Sequence, residues 1–144
     1  MVPWQEKTGC GQERKAMIVG IGIDIVEIGR IEAMMKRRES AASRFLTEKE
    51  QRLLARRQGA ARYEFAAGRF AAKEAASKAL GTGIGKTVGF LDLEILPAES
   101  GKPELRVSPD VLRKLDLDPA RVRVHLSISH SRTHAIAQVV LETM

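Results

Sequence analysis

Two carboxylates stand where carboxylates are costly. Asp24 follows "GIGI", and Glu74 lies inside "FAAKEAASKAL". A charged carboxylate among apolar neighbours demands an opposite charge or a cation. If a helix around Glu74 packs on a strand around Asp24, the two could share one hard divalent ion. Mg²⁺ takes one or two carboxylates and fills its octahedron with water and phosphate oxygens. Glu74 and Lys78 are four residues apart and share a helix face. Arg69 and Lys73 precede them in "GRFAAKEAASKALGTG". Taken as one row, Arg69, Lys73 and Lys78 would clamp phosphates. An ion-pair network, Asp24 with an arginine and Glu74 with Lys78, uses the same residues, and spacing alone leaves both open.

Two other stretches invite chemistry. "GTGIGK" (81–86) is glycine-rich like a phosphate cradle, but it lacks the Walker spacing and the Lys-Ser/Thr ending. It also follows a helix rather than opening one, so Gly81 fits better as a helix C-cap. His130 sits between serines in "SISHS", with His134 four residues on. A Ser-His nucleophile would need an acidic third member, and no nucleophile-elbow pattern accompanies it. His130 is a hydrogen-bonding residue or a ligand contact. His125, inside an alternating strand, reads as structural.

The elements that must position these groups follow from period. "MIVGIGIDIV" reads as a strand ending near Asp24. Gly20 and Gly22 within it imply close approach, of a ligand or a neighbouring chain. "EIGRIEAMMKRR" has helical spacing, and Thr47 with Glu50 is a capping box opening a helix through Arg57. A third helix spans 61–80. "VGFLDLEIL" (88–96) and "GKPELRV" (101–107) can pair as a hairpin, and Ser108 with Pro109 opens a short helix. "RVRVHLSIS" alternates strictly, with Val122, Val124, Leu126 and Ile128 on one side, and "HAIAQVVLE" is a last strand. One strand, a run of helices, then strands with short connections predict an α+β fold with a mainly antiparallel sheet. The 144 residues suit one domain at 17–144, preceded by a flexible extension at 1–16 that holds Trp4 and Cys10.

Charge and composition narrow the partners. Net charge is +6, and residues 30–78 carry 13 Lys/Arg against 6 Asp/Glu, while 79–144 carry 8 of each. The basic centre calls for an anionic partner: nucleic acid, a phosphate-bearing cofactor or an acidic protein. Aromatic residues at 4% argue against base stacking on single strands. No apolar run approaches membrane-spanning length. The single cysteine excludes an intrachain disulfide and a cysteine-cluster metal site, and makes a reducing cytoplasm the default.

Together the segments "GIGIDIVEIGRI" (20–31), "RFLTEKE" (44–50), "GRFAAKEAASKALGTGIG" (68–85), "GKP" (101–103) and "SISHS" (127–131) resemble, in order and spacing, the holo-[acyl-carrier-protein] synthases, small 4′-phosphopantetheinyl transferases. The likeness spans essentially all of 17–144. It implies transfer of 4′-phosphopantetheine from coenzyme A to a serine of apo acyl carrier protein, releasing adenosine 3′,5′-bisphosphate and supporting fatty acid biosynthesis.

By the same resemblance Asp24 and Glu74 are magnesium ligands, and Arg69 and Lys78 lie near the coenzyme's phosphates. His130 and Ser131 contact the coenzyme, and Gly101, Lys102 and Pro103 wall its adenine. Arg30, Met34 and Arg37 meet the carrier protein, and Arg44 adds to the charge that steers this acidic partner. Met34 taken alone also suits core packing. Lys78 would stabilise or protonate the leaving phosphate. The serine proton would pass to a water near Asp24 or Glu74, with Glu74 or His130 as direct alternatives. A homotrimer with sites between subunits is implied, and neither nucleic acid nor membrane is a partner. Two other functions fit parts of the sequence: a small basic nucleic-acid-binding protein, and a non-catalytic trimeric subunit of a synthase. Neither gives Asp24 and Glu74 a purpose.

Overall fold

The computed structural model describes residues 15–144. The expected extension, with Trp4 and Cys10, therefore lies almost wholly outside the described residues.

Strand β1 (Met17–Glu27) alternates between two environments: Gly22 and Val26 are buried and Asp24 half-buried, while Ile21, Ile23 and Ile25 face outward. It pairs antiparallel with β5 (His134–Thr143), which pairs antiparallel on its other edge with β4 (Val122–His130), giving the order β1-β5-β4. The strand does not end near Asp24 as its sequence suggested. Pairing continues through Ile25 opposite Ile136 to Glu27 opposite His134, so Asp24 sits inside the ladder opposite Ala137.

Helices fill one side of this sheet. α1 (Ile28–Arg37) leaves the end of β1, where the Ile28 amide donates to the Thr133 carbonyl at 2.9 Å. A short α2 (Ala41–Phe45) follows, which the periodicity did not reveal. α3 (Glu48–Ala55) opens on the expected capping box: the Glu50 amide donates to Thr47 Oγ1, and the Glu50 carboxylate accepts from the Thr47 amide. It stops two residues short of the expected Arg57. α4 (Ala60–Ala79) is the centre of the molecule, burying Ala66, Ala67, Ala71, Ala72, Ala75 and Ala76. Small side chains let it approach both the sheet and the other helices.

β1 and α4 meet at backbone contact, and this explains the two glycines. A Cβ on Gly20 would fall 1.8 Å from the Ala79 carbonyl oxygen, and one on Gly22 1.8 Å from that of Ala75. The close approach expected of a ligand or a neighbouring chain is made by the protein's own helix.

The segment after α4 begins with a 3₁₀ turn at Phe90–Asp92, not a strand, because the Asp92 carboxylate caps it by accepting from the Gly89 amide at 2.8 Å. β2 (Leu93–Pro97) and β3 (Pro103–Val107) then form the expected hairpin. α5 (Pro109–Lys114) starts at its proline, although the Ser108 side chain makes no cap bond. Phe45, Phe70 and Phe90 pack edge-on or tilted, with centroids 5.1–6.3 Å apart, between α4 and the 3₁₀ turn.

Candidate active site

The glycine-mediated contact places the last turn of α4 beside Asp24. Lys78 Nζ donates to Asp24 Oδ1 at 3.1 Å and to the Ile23 carbonyl at 3.0 Å. Asp24 is 18% exposed and Lys78 51%, so the pair opens to solvent while its carboxylate is mostly enclosed. Among the described residues neither of the two ion pairs that spacing allowed forms; Lys78 spans from helix to strand instead. One turn earlier on α4, Glu74 has its carboxyl pushed above the ordinary range, first by burial and then by the field of Asp24, against the pull of Lys78. Two carboxylates and an ammonium thus share one field at the β1–α4 junction.

The donors are hard oxygens that repel one another, the arrangement a divalent cation relieves. Among the described residues no cluster of three or more His, Cys, Asp or Glu side chains could hold a metal. Asp24 and Glu74 therefore fit an ion that keeps most of its positions for water and phosphate. Beyond them the chain turns sharply: Gly81 (φ 81°) and Gly83 (φ 66°) let the amides of Thr82 and Gly83 donate to the Ser77 carbonyl, both at 3.1 Å. The C-cap expectation for this glycine stretch holds.

Arg69 and Lys73 do not share the face of Glu74 and Lys78. Lys73 is fully buried; its Nζ donates to Glu50 Oε1 and to the Phe45 carbonyl, both at 2.6 Å. Glu50 also accepts from the amides of Thr47 and Ile95. Burial lowers the Lys73 pKa against the pull of Glu50. Lys73 is therefore no phosphate clamp, and ties α4 to α2, α3 and β2. At 100° per residue it points to the opposite side of α4 from Lys78.

Arg69 lies elsewhere again. Its guanidinium stacks on the Phe65 ring at 4.2 Å, and burial lowers its pKa to about 10. It borders a cavity of about 250 Å³ together with Arg57, Phe65, Gly68, Ile128 and His130. His130, at the end of β4, is half exposed, with Nε2 3.9 Å from Glu64 Oε2. Ser131 Oγ accepts from the amides of Thr133 and His134, closing the β4–β5 turn rather than facing His130. Among the described residues no Ser-His nucleophile is formed.

The turn at Gly101 (φ 86°) leads to Lys102 and Pro103, which border a separate cavity of about 280 Å³ with Arg106 and His125. His125, read as structural, is exposed and 3.3 Å from Glu142. Arg30 and Arg37 lie on the exposed side of α1, and Arg44 is exposed on α2. Met34 is half-buried and packs against the core. Sequence reasoning did not single out Arg57 or Glu64, which border the same cavity as Arg69 and His130. Arg57 lies past the end of α3, where no period marks it, and Glu64 reads as an ordinary helix charge.

The family model of the 4′-phosphopantetheinyl transferase superfamily matches residues 20–139. The chain belongs to this superfamily. A holo-[acyl-carrier-protein] synthase of Bacillus cytotoxicus is 52% identical over 127 residues, covering 88% of this chain and 98% of that protein. Among solved structures, a holo-(acyl-carrier-protein) synthase from Bacillus anthracis in complex with CoA (3′,5′-ADP) superposes with a TM-score of 0.76. It is 51% identical and covers 89% of this chain and 99% of its own. The Helicobacter pylori holo-[acyl-carrier-protein] synthase in complex with coenzyme A gives 0.73 at 38% identity, covering 84% and 98%. The α+β order described above is that of these transferases.

Proposed function

We propose that this phosphopantetheinyl transferase acts as a holo-[acyl-carrier-protein] synthase through the β1–α4 junction. The observation that carries the proposal is the Lys78 ammonium 3.1 Å from Asp24, with the Glu74 carboxyl raised beside them. The serine hydroxyl of apo acyl carrier protein attacks the phosphorus next to the pantetheine arm of coenzyme A. A new serine O–P bond forms, the P–O bond within the diphosphate breaks, and adenosine 3′,5′-bisphosphate leaves. Lys78 turns from Asp24 to the leaving phosphate and donates to it as negative charge grows there. Asp24 or Glu74 receives the serine proton through an intervening water. A Mg²⁺ held by Asp24 and Glu74 would neutralise the diphosphate and make its phosphorus more electrophilic.

Two observations support sites shared between subunits of a homotrimer. The residues that the family likeness groups around coenzyme A fall into three separate places in one chain: the β1–α4 junction, the Arg69–His130 cavity and the Gly101–Pro103 turn. The outer face of β1 also leaves Ile21, Ile23 and Ile25 at 59%, 55% and 63% exposure, an apolar strip of the kind that association covers. The exposed Arg30, Arg37 and Arg44 offer the acidic carrier protein a basic landing surface, with Met34 beside them. Among the described residues no helix is long and apolar enough to cross a membrane. We place the reaction in the cytoplasm, where a carrier protein and coenzyme A meet.

The test is intact-mass spectrometry of apo acyl carrier protein incubated with this protein, coenzyme A and Mg²⁺. Gain of one phosphopantetheine, abolished by EDTA, is the expected result. No gain with folded enzyme and a competent carrier would contradict the proposal.

A further inference from the structure

Two buried charges take no part in the chemistry above. Among the described residues Glu50 and Lys73 are the only charged side chains that are buried, both at 0% exposure. The Lys73 ammonium donates to Glu50 Oε1 and to the Phe45 carbonyl, and Glu50 accepts from the amides of Thr47 at 2.9 Å and Ile95 at 3.0 Å. The pair thus fastens α4 to α2, α3 and β2 at one point. A buried ion pair is weak evidence for stability, because apolar side chains of similar volume often serve as well. Its best-attested use is to fix the register of packed elements.

Register is what the second half of α4 lacks. From Ala71 to Ala79 every buried side chain other than Lys73 is alanine or serine. Alanines offer no ridge that locks a helix against turning about its axis. The Ser77 hydroxyl bonds within its own helix, donating to the Glu74 carbonyl at 2.7 Å. The glycines of β1 let α4 come close, but without side chains they do not hold its rotation. The first half differs: Phe65 is buried, and Phe70 packs edge-on against Phe45 with centroids 5.4 Å apart. Glu74 follows Lys73 directly and Lys78 is five residues on, so both turn with it. Side chains reach about 5–6 Å from a helix axis, so a turn of about 10° moves their tips by about 1 Å. A shift of that size can cost about 100-fold in turnover.

We propose that Lys73 and Glu50 are positioning residues for the transfer. Resting on the β1–α4 reading above, the pair holds the rotation of the second half of α4, and with it the aim of Glu74 and Lys78 at Asp24. Both act from the far side of the helix, without touching the reacting atoms.

The test uses the full-length protein with Glu50→Gln and Lys73→Met combined, which leaves no unpaired charge in the core. Leu112→Ala is the control, since it removes buried apolar volume on α5 instead. Both variants are assayed at a temperature where circular dichroism shows them folded. The paired variant lowers kcat about tenfold or more and raises the Mg²⁺ concentration for half-maximal turnover about tenfold. It keeps KM for coenzyme A to within about threefold, because the first half of α4 stays wedged. Leu112→Ala lowers the urea midpoint yet keeps kcat and the Mg²⁺ response to within about twofold. A crystal structure of the paired variant needs no turnover, so it stands even if the transferase reading fails. In it Lys78 Nζ lies beyond hydrogen-bond distance of Asp24 Oδ1, against 3.1 Å in the wild type. Wild-type kcat and Mg²⁺ response in the paired variant, an equal loss of kcat in Leu112→Ala, or an unchanged Lys78–Asp24 contact in the crystal would each overturn the proposal. A wild-type protein that transfers nothing would sink the transferase reading, and the crystal structure then decides the role of the pair.

Discussion

Gly22→Ala puts a methyl group where the backbone of α4 already lies. The added Cβ would stand 1.8 Å from the Ala75 carbonyl oxygen, whereas ordinary contact begins at 3.4 Å, so helix and strand must part by about 1.6 Å. A close-packed interior transmits such a shift instead of absorbing it. Overpacking of this kind costs about 1–3 kcal/mol, and here the obstacle is backbone, which has no rotamer to change. The melting temperature should fall by roughly 3–12 °C. Asp24 lies two residues on, on the same face of β1, so its carboxylate withdraws from Lys78 by a similar distance. Misplacement of about 1 Å is worth a loss of about 100-fold in turnover. Thermal unfolding and carrier-protein transfer rates, measured on the same preparation, check both parts. Gly29→Ala is the control: nothing lies within 4 Å of its added Cβ, and it leaves both readouts near wild type. If Gly22→Ala melts and turns over with the wild type, the glycine contact does not set the site, and the reasoning fails.

Other consequences follow from the same geometry. Lys73→Met strands the Glu50 charge at a fully buried position and costs about 3–5 kcal/mol, while adding Glu50→Gln costs less than the two single losses combined; urea unfolding measures both. The Glu74 carboxyl is raised above its ordinary 4.5, so its contribution to stability is present below that pH and is lost as pH rises through the higher folded value. Without divalent ions, Glu74→Gln is therefore more stable than wild type at neutral pH, and the gap closes below pH 4.5, as urea midpoints across pH will show. Ile23→Arg puts a charge in the exposed apolar strip of β1 and shifts sedimentation toward monomer with loss of transfer.

The carboxylates were legible because their surroundings made them conspicuous: an aspartate after "GIGI" and a glutamate among alanines have few structural excuses. The capping box, the hairpin and the alternating strand were legible because each is a local pattern. The side of α4 that faces inward was not. Its alanines run all the way round the helix, so no apolar stripe tells Lys73, turned into the core, from Lys78, turned to Asp24. The two glycines of β1 announced a close approach, but only the fold shows that Ala75 and Ala79 make it. Arg57 reaches Phe65 from beyond the end of α3, a contact between distant segments that no sequence period encodes.

The central claim is that the β1–α4 junction carries the transfer, and Asp24→Asn tests it most directly. This variant keeps the size of the side chain and its place opposite Ala137, and removes the charge that Lys78 faces. Steady-state transfer to apo acyl carrier protein would be followed over a range of Mg²⁺ concentrations. The account predicts a kcat lower by about 100-fold or more, a weakened response to Mg²⁺, and wild-type unfolding to within about 1 kcal/mol, since an ion pair whose ammonium is half-exposed to water adds little stability. Wild-type turnover and Mg²⁺ dependence in a folded Asp24→Asn protein would contradict it.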